Sequence, residues 1–174
     1  MRGLAHLLRR YLGGFGPARL ADAAQWAGVA VPKMKATAEG VELRAFRDEQ
    51  GREVVDLPGA PLPSADTPAP VRFLPTWDAT LLVHARRTLV LPEAYRPLVF
   101  STKTPHSVGT FLVDGSVAGS WRTDRSGERA NLLYTPFERL TAAAEREVRE
   151  EAAGLIRFME PTSASYAVER RAPD

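Results

Sequence analysis

Residues 71–91 read VRFLPTWDATLLVHARRTLVL, and this stretch decides how the chain divides. Its first part is expected to be extended, because Pro75 disfavours helical backbone at the preceding residue. An apolar run from Ala79 to Val83 follows almost directly. Asp78 therefore lies where two elements meet. A carboxylate at such a junction has two interpretations: it caps the next element through a backbone N–H, or it lines a cleft and takes part in chemistry.

Three short helices are predicted before this stretch. The first has an apolar stripe at helical spacing that ends at a Gly-Gly pair, and the stripe consists of Leu4, Leu7, Leu8, Tyr11 and Leu12. A second helix is expected between Pro17 and Gly28, and a third begins at Pro32 and carries Lys33 and Lys35. Short helices joined by a tight turn and followed by a basic helix are the parts of a helix-turn-helix, whose later helix enters the major groove of DNA.

A hairpin and a proline-rich segment are expected next. Residues 41–46 and 53–57 alternate apolar and polar side chains around a polar loop that contains Gly51, so they are predicted to form the wing of a winged helix spanning residues 1–57. The segment PGAPLPSADTPAP at 58–70 suits neither a helix nor a strand. It is either an extended linker between two domains or an arm on the surface of a single domain.

Residues 71–174 are predicted to form a small β-rich, barrel-like domain with a C-terminal helix, which makes the fold class α+β. Asp114-Gly115 lies between two alternating runs and predicts a two-residue hairpin turn with positive φ at both positions. Thr141 or a neighbour is expected to open the helix, in which Glu145 and Arg149 pair at i, i+4. The predicted core stripe of this helix is Ala144, Val148, Ala152, Leu155 and Met159.

The charge distribution is more informative than the net charge of +2. Residues 1–39 carry six basic and two acidic side chains, a net +4, and residues 72–129 carry eight and five, a net +3. These are the segments that a DNA-binding protein of this organisation would use. No apolar run approaches the roughly 18 residues of a membrane span, so no membrane association is expected and the predicted location is cytoplasmic.

The candidate DNA-binding residues are basic side chains on the predicted helices, the wing and the central stretch. They are Arg9, Arg10, Lys33, Lys35, Arg44, Arg86 and Arg87. No cofactor or metal is predicted, because His6, His84 and His106 lack metal-ligand spacing and no cysteine or Gly-rich phosphate loop is present.

Aromatic and histidine side chains near the central stretch have two interpretations each. His84 lies on an apolar run, where a histidine either completes the core with a hydrogen bond or belongs to a site. Trp77 and Trp121 either pack in the core or stack on a nucleobase that has left the DNA duplex.

Several segments resemble a known protein family. They are LLRRYLGGFGPARLADAAQWAGV near the N-terminus, then FLPTWDATLLVHARRTLVLP, PLVF, FLVDGSVAGSW and TPFERL. Together they resemble the winged helix DNA-binding domain-containing proteins, a family that includes the interstrand-crosslink DNA glycosylases. Members consist of tandem winged helices with a β-rich C-terminal part, and this chain resembles the C-terminal half only. The resemblance implies double-stranded DNA as the partner. Asp78 and His84 match the WD…H…R segment of the family, which makes them the candidate catalytic residues.

The glycosylases of that family carry a Gln-x-Gln or Gln-x-Asp motif in their N-terminal portion. Here Gln25 and Gln50 are the only glutamines, so the motif is absent. This absence favours a DNA-binding winged-helix protein that is not catalytic by itself. The alternative is a fragment or divergent member of a DNA glycosylase that acts on alkylated or crosslinked bases in DNA repair. A protein–protein interaction module with the same fold is a third interpretation.

Overall fold

The structure is a computed structural model that describes residues 2–84, 88–100 and 107–172. These residues form two compact units. The first unit contains the residues up to Asp66 and a returning segment that starts at Ala79 and includes His84. The second unit contains Thr67 to Asp78 and the described residues from Thr88 onward. Both helices and strands are present, so the mixed α+β class predicted from the sequence is confirmed.

Three helices and a two-stranded hairpin make up the first unit. They are α1 (Arg2–Phe15), α2 (Leu20–Trp26), α3 (Val31–Ala38), β1 (Arg44–Arg47) and β2 (Glu53–Asp56). Gly13 and Gly14 were predicted to end α1, but the helix continues through both. Neither glycine adopts the positive φ of a helix-ending residue. β1 starts three residues later than predicted, because the N–H of Val41 donates to the carbonyl of Ala38 and closes the end of α3.

The core of the first unit is formed by one side of each helix and by the hairpin. Leu8 and Tyr11 of α1 are fully buried, and they share the core with Met34 of α3 and Val55 of β2. Val83 from the returning segment belongs to the same core. The apolar stripe of α1 is narrower than predicted, since Leu7 lies at the surface.

The central stretch contains two short elements. β3 (Arg72–Leu74) is extended, as expected before Pro75. The apolar run after Asp78 forms only a single 3-10 turn at Ala79–Leu81. The proline-rich residues 58–70 contain no helix or strand, and nearly all of them are exposed.

The second unit is built on one five-stranded sheet. Its further elements are α4 (Arg96–Val99), β4 (Gly109–Val113), β5 (Ser116–Ser126), β6 (Arg129–Pro136), α5 (Ala142–Met159) and β7 (Ser165–Arg170). The strand order is β3-β4-β5-β6-β7, antiparallel throughout except for the parallel pair β6 and β7. Pro97 lies in the first turn of α4, where its missing backbone N–H would have no partner within the helix.

The prediction of a barrel-like domain is wrong for the residues that the structure describes, because the sheet is open. β3 and β7 are its two edges. The physical reason is the crossover through α5, which returns the chain to the same end of the sheet and adds β7 parallel to β6 as an outer strand.

The predicted hairpin turn is confirmed. Asp114 has a φ of 50° and Gly115 a φ of 73°, and Val113 pairs with Ser116 across the turn. These are the positive values that a two-residue turn requires to match the twist of its strands. A second hairpin joins β5 to β6 through Gly127, and its tip, from Arg122 to Arg129, is exposed.

α5 covers one face of this sheet. The side chain of Thr141 accepts a hydrogen bond from the N–H of Ala144 at 3.2 Å, which confirms the predicted start of the helix. Val148, Ala152 and Ile156 are fully buried against the sheet. The predicted stripe is therefore wrong at its end, where Ile156 is buried and Met159 is exposed.

Glu145 joins α5 to two strands of the sheet. It accepts a hydrogen bond from the hydroxyl of Tyr134 on β6. The predicted ion pair with Arg149 is present at 3.3 Å, and Arg170 of β7 lies 3.7 Å away. Burial and the hydrogen bond to Glu145 raise the pKa of Tyr134 to about 12. None of the described helices is both long and apolar enough to cross a membrane.

Candidate functional site

His84 lies at the end of the returning segment in the first unit, where it is half-buried. Its Nδ1 is 3.1 Å from the hydroxyl oxygen of Tyr11 on α1. The same hydroxyl donates a hydrogen bond to the carbonyl oxygen of Val83, also at 3.1 Å. His84 is therefore hydrogen-bonded to a core residue, which agrees with one of its two interpretations. Its side chain is nevertheless partly exposed to solvent.

The two hydrogen bonds of Tyr11 define the tautomer of His84. A tyrosine hydroxyl has one hydrogen, and Tyr11 gives it to the carbonyl of Val83. Both contacts are satisfied only if Nδ1 of His84 carries a hydrogen and donates it to the Tyr11 oxygen. Nε2 of the ring then carries a lone pair that can accept a hydrogen bond from water.

Aromatic rings surround this pair. The ring of Phe15 lies 6.4 Å from that of His84, and the ring of Trp26 lies 5.3 Å from that of Tyr11. Burial raises the pKa of Tyr11 well above its ordinary value, and the charge of Asp22 raises it further. Tyr11 therefore stays neutral and acts as a fixed hydrogen-bonding group. The sequence indicated Tyr11 only as a core residue, since its partners lie more than 70 positions away.

Asp78 lies in the second unit, immediately before the 3-10 turn that begins at Ala79, and is half-buried. This is the position of an N-cap residue, one of the two interpretations of this carboxylate. The two predicted catalytic residues thus belong to different compact units.

Trp77 is not a core residue. Half of its surface is exposed, and its φ of 59° is unusual for a bulky side chain. Its backbone N–H donates to Oγ of Ser107 at 2.8 Å, and its ring lies 6.1 Å from that of Phe100. Of its two interpretations, packing in the core is therefore wrong for Trp77. Trp121, by contrast, packs against the core of the second unit and donates its indole N–H to the carbonyl of Leu74 at 2.9 Å.

The two predicted DNA-binding residues of α3 both reach the surface. Lys33 and Lys35 are exposed, whereas Met34 and Thr37 are buried. Thr37 is held by a hydrogen bond from its hydroxyl to the carbonyl of Lys33 at 2.8 Å. α3 therefore packs through the face that carries Met34 and Thr37, and both lysines are exposed to solvent.

The remaining predicted contacts are distributed over α1 and the hairpin. Arg9 and Arg10 of α1 are exposed, and Arg44 of β1 is exposed with its guanidinium 4.6 Å from the centre of the Phe46 ring. At the hairpin tip Asp48 pairs with Arg52 at 2.6 Å, so the charges there compensate each other. Arg86 and Arg87 lie outside the described residues.

A cleft of about 870 Å³, here called the sheet cleft, lies in the second unit and was not expected from the sequence. Its lining includes Trp121 and Arg122 of β5, Leu133 and Thr135 of β6, and Arg171 just after β7. These residues are far apart in sequence, and only the strand order brings them together. In the part of the chain that the structure describes, no group of three or more acidic, histidine or cysteine side chains could hold a metal ion.

Comparison with known proteins gives two matches. Residues 2–158 match the family described as "DNA glycosylase AlkZ-like". The solved structure of Streptomyces sahachiroi DNA glycosylase AlkZ superposes with a TM-score of 0.75 at 23% sequence identity, covering 98% of this chain and 46% of that one. At this identity the likeness concerns the fold, and the chain spans about half the length of that protein. No curated protein matches the chain.

Proposed function

The chain belongs to the AlkZ-like family of DNA glycosylases, and on this basis we propose that it acts on DNA as a divergent DNA glycosylase or as part of one. The proposed substrates are alkylated or crosslinked bases. The observation that carries the proposal is the family match over residues 2–158. This match supports the glycosylase interpretation better than that of a non-catalytic DNA-binding protein, which the missing glutamine motif had favoured.

Duplex binding is assigned to the first unit. In this proposal α2 and α3 act as a helix-turn-helix, and the hairpin of β1 and β2 acts as the wing. The support is the arrangement of α3, which buries Met34 and leaves Lys33 and Lys35 free to approach phosphates. Arg9, Arg10 and Arg44 are exposed in the same unit and add further positive charge.

Duplex binding is tested by its salt dependence. The double variant Lys33→Ala/Lys35→Ala is expected to bind duplex DNA more weakly than the wild type. Each lost phosphate contact lowers the slope of log K against log salt by about 0.9. Fluorescence anisotropy with a labelled duplex at several salt concentrations measures both effects. The matched control is Arg96→Ala/Arg146→Ala, which removes two exposed charges from the second unit. An equal loss in the control would contradict the assignment to α3.

Within this chain the proposed chemistry uses groups other than a Gln-x-Gln or Gln-x-Asp motif, which residues 1–174 do not contain. Hydrolysis of a glycosidic bond in DNA requires a positioned water and stabilisation of the positive charge that develops on the sugar. Nε2 of His84 is available to accept a hydrogen bond from water, because Tyr11 fixes the opposite side of the ring. The carboxylate of Asp78 is the candidate that stabilises positive charge. The water-binding role is proposed for His84 and the charge-stabilising role for Asp78, and neither proposal depends on the other.

Abasic-site formation tests the proposed catalysis. Wild-type protein incubated with alkylated or crosslinked duplex is expected to produce abasic sites above the buffer level. His84→Gln and Asp78→Asn are each expected to slow this reaction by about 10²-fold, the size typical of a lost general acid or base. The controls are His6→Gln and Asp66→Asn, which alter exposed residues of the same types. If the wild type produced no abasic sites, the protein would be a non-catalytic DNA-binding protein.

A further inference from the structure

A second cavity of the second unit, of about 710 Å³, lies where α5 begins and is here called the Glu145 cavity. None of the described residues that line it also lines the sheet cleft, and none has a role in the proposed function. The cavity is therefore available to a ligand other than the proposed DNA substrate. Its lining includes Glu138, Arg139 and Leu140 before the helix, Glu145 and Arg149 on α5, and Arg170 of β7.

Two arginines from different elements share one carboxylate in this cavity. Nη2 of Arg149 lies 3.3 Å from Oε1 of Glu145, and Nε of Arg170 lies 3.7 Å from Oε2. The hydroxyl of buried Tyr134 donates a hydrogen bond to the same carboxylate and holds it in place. Glu145 carries a single negative charge, so it balances only one of the two guanidinium groups beside it.

Both guanidinium groups keep their hydrogen-bond donors available. The distances to Glu145 are those of ion pairs, and within the described ranges neither Arg149 nor Arg170 donates a side-chain hydrogen bond to the protein. About half of each arginine side chain is exposed, so a ligand can reach it. A guanidinium presents five N–H donors in a planar fork that matches the paired oxygens of a carboxylate or a phosphate. The cavity therefore offers two oriented forks to an oxyanion.

The charge around the Glu145 cavity favours a small ligand over DNA. The described residues of its lining comprise three arginines and two glutamates, a net charge of +1. Residues 136–174 carry six basic and eight acidic side chains, a net −2, so the cavity lies in an acidic part of the chain. A duplex needs an extended positive surface, whereas a compact molecule with one anionic group needs only the two arginines.

The size of the cavity indicates a ligand with a body as well as an anionic group. A volume of about 710 Å³ is within the range of small-molecule pockets and far exceeds that of an inorganic anion. Leu140 and Ala142 add apolar surface to the lining.

We propose that the Glu145 cavity binds a small organic anion, whose carboxylate or phosphate lies between Arg149 and Arg170 and whose apolar part contacts Leu140. This binding site goes beyond the proposed action on DNA and does not depend on it.

Titration of the full chain with benzoate and with phenyl phosphate, followed by the amide chemical shifts in two-dimensional NMR, tests this proposal. At least one of the two anions is expected to cause saturable shifts at Leu140, Ala142 and Arg170, and the tighter of the two identifies the preferred anionic group. Benzyl alcohol has the same ring without the charge and is expected not to bind. The double variant Arg149→Gln/Arg170→Gln is expected to raise the Kd by about tenfold or more, since two charge-assisted contacts are lost.

A second variant places a negative charge in the cavity without removing a partner of Glu145. Ala142 is the exposed first residue of α5, where an acidic side chain is favourable for the helix. Ala142→Glu is therefore expected to fold and to raise the Kd by a similar factor. The matched control Arg122→Gln/Arg146→Gln removes two exposed charges outside the cavity and is expected to retain wild-type affinity.

Four outcomes overturn the proposal: no saturable shift with either anion, equal binding of benzyl alcohol, an equal loss of affinity in the control, or wild-type affinity in both cavity variants. Melting temperatures within about 2 °C of the wild type establish that each variant is folded. If Arg149→Gln/Arg170→Gln unfolds, the result with Ala142→Glu decides.

Discussion

Tyr134 links the sheet of the second unit to its covering helix through one hydroxyl. Burial, and then the hydrogen bond to Glu145, raise its pKa from 10.0 to about 12. The folded protein therefore keeps a proton that the unfolded chain loses above its ordinary pKa. Stability from this residue is fully present below pH 10 and is lost as the pH rises from about 10 to about 12. We expect the melting temperature to fall steeply in that window.

The variant Tyr134→Phe removes the titrating group and is expected to make this alkaline fall shallower. Melting temperatures measured from pH 7 to pH 12 compare the two proteins. Part of the fall will remain, because the pKa of buried Tyr11 is also raised. Parallel pH profiles for wild type and variant would show that Tyr134 does not limit alkaline stability.

The hydroxyl of buried Tyr11 is expected to matter more for stability than that of Tyr166, which is half-buried. Tyr11→Phe leaves both the carbonyl of Val83 and the Nδ1–H of His84 without their partner. We expect a loss of about 1–3 kcal/mol in the free energy of unfolding, measured by urea denaturation. Tyr166→Phe serves as the control, since its hydroxyl makes one hydrogen bond, to the carbonyl of Glu160 at 2.9 Å. An equal or larger loss in the control would contradict this ranking.

Within single elements, substitution of glycine by alanine is expected to have opposite effects on stability at two positions. Gly119 lies in β5, where an added Cβ would collide with the ring of Phe111 and with the carbonyl of Thr135. Gly119→Ala is therefore expected to destabilise the sheet by about 1–3 kcal/mol, as overpacking does. Gly154 lies in α5 with nothing within 4 Å of the added atom. Gly154→Ala is expected to stabilise the protein by about 0.5–1 kcal/mol.

Thermal unfolding of the two glycine variants provides the measurement, and each serves as the control for the other. A lower melting temperature for Gly119→Ala and a higher one for Gly154→Ala are expected. Equal shifts would mean that β5 and α5 respond to the change in glycine content rather than to the space around each residue.

At the scale of the whole molecule, the returning segment makes the first unit discontinuous. Leu81 and Val83 are buried although they follow the exposed proline-rich residues 58–70. Limited proteolysis is expected to cut within 58–70, where the backbone is exposed and lacks regular hydrogen bonds. The two pieces are expected to remain together in size-exclusion chromatography, because the later piece carries Val83 of the first unit's core.

The variant Val83→Asp tests this retention, since a charge in that core should release the N-terminal piece after cleavage. Leu89→Asp is the control, because Leu89 is exposed. Separation of the cut wild-type pieces would show that the returning segment does not hold the first unit together.

Features whose partners lie within a few positions of one another were predictable from local sequence patterns. The hairpin turn at Asp114-Gly115, the cap at Thr141 and the pair of Glu145 with Arg149 were all predicted and are present. The two lysines of α3 were predicted to be available to a ligand, and both are exposed. Local backbone preference and helical periodicity are sufficient for such features.

Only the tertiary structure decided the features that depend on where the chain returns. The parallel addition of β7 opened a sheet that was expected to be barrel-like. Tyr11 and His84 meet across 73 positions, and the sheet cleft combines residues of separate strands. The sequence left open whether Trp77 packs in the core, and in the structure it is half exposed. A local pattern of apolar and aromatic residues indicates that a residue tends to be buried. Which residue it then contacts depends on the strand order and on the connections between elements, and local spacing does not determine these.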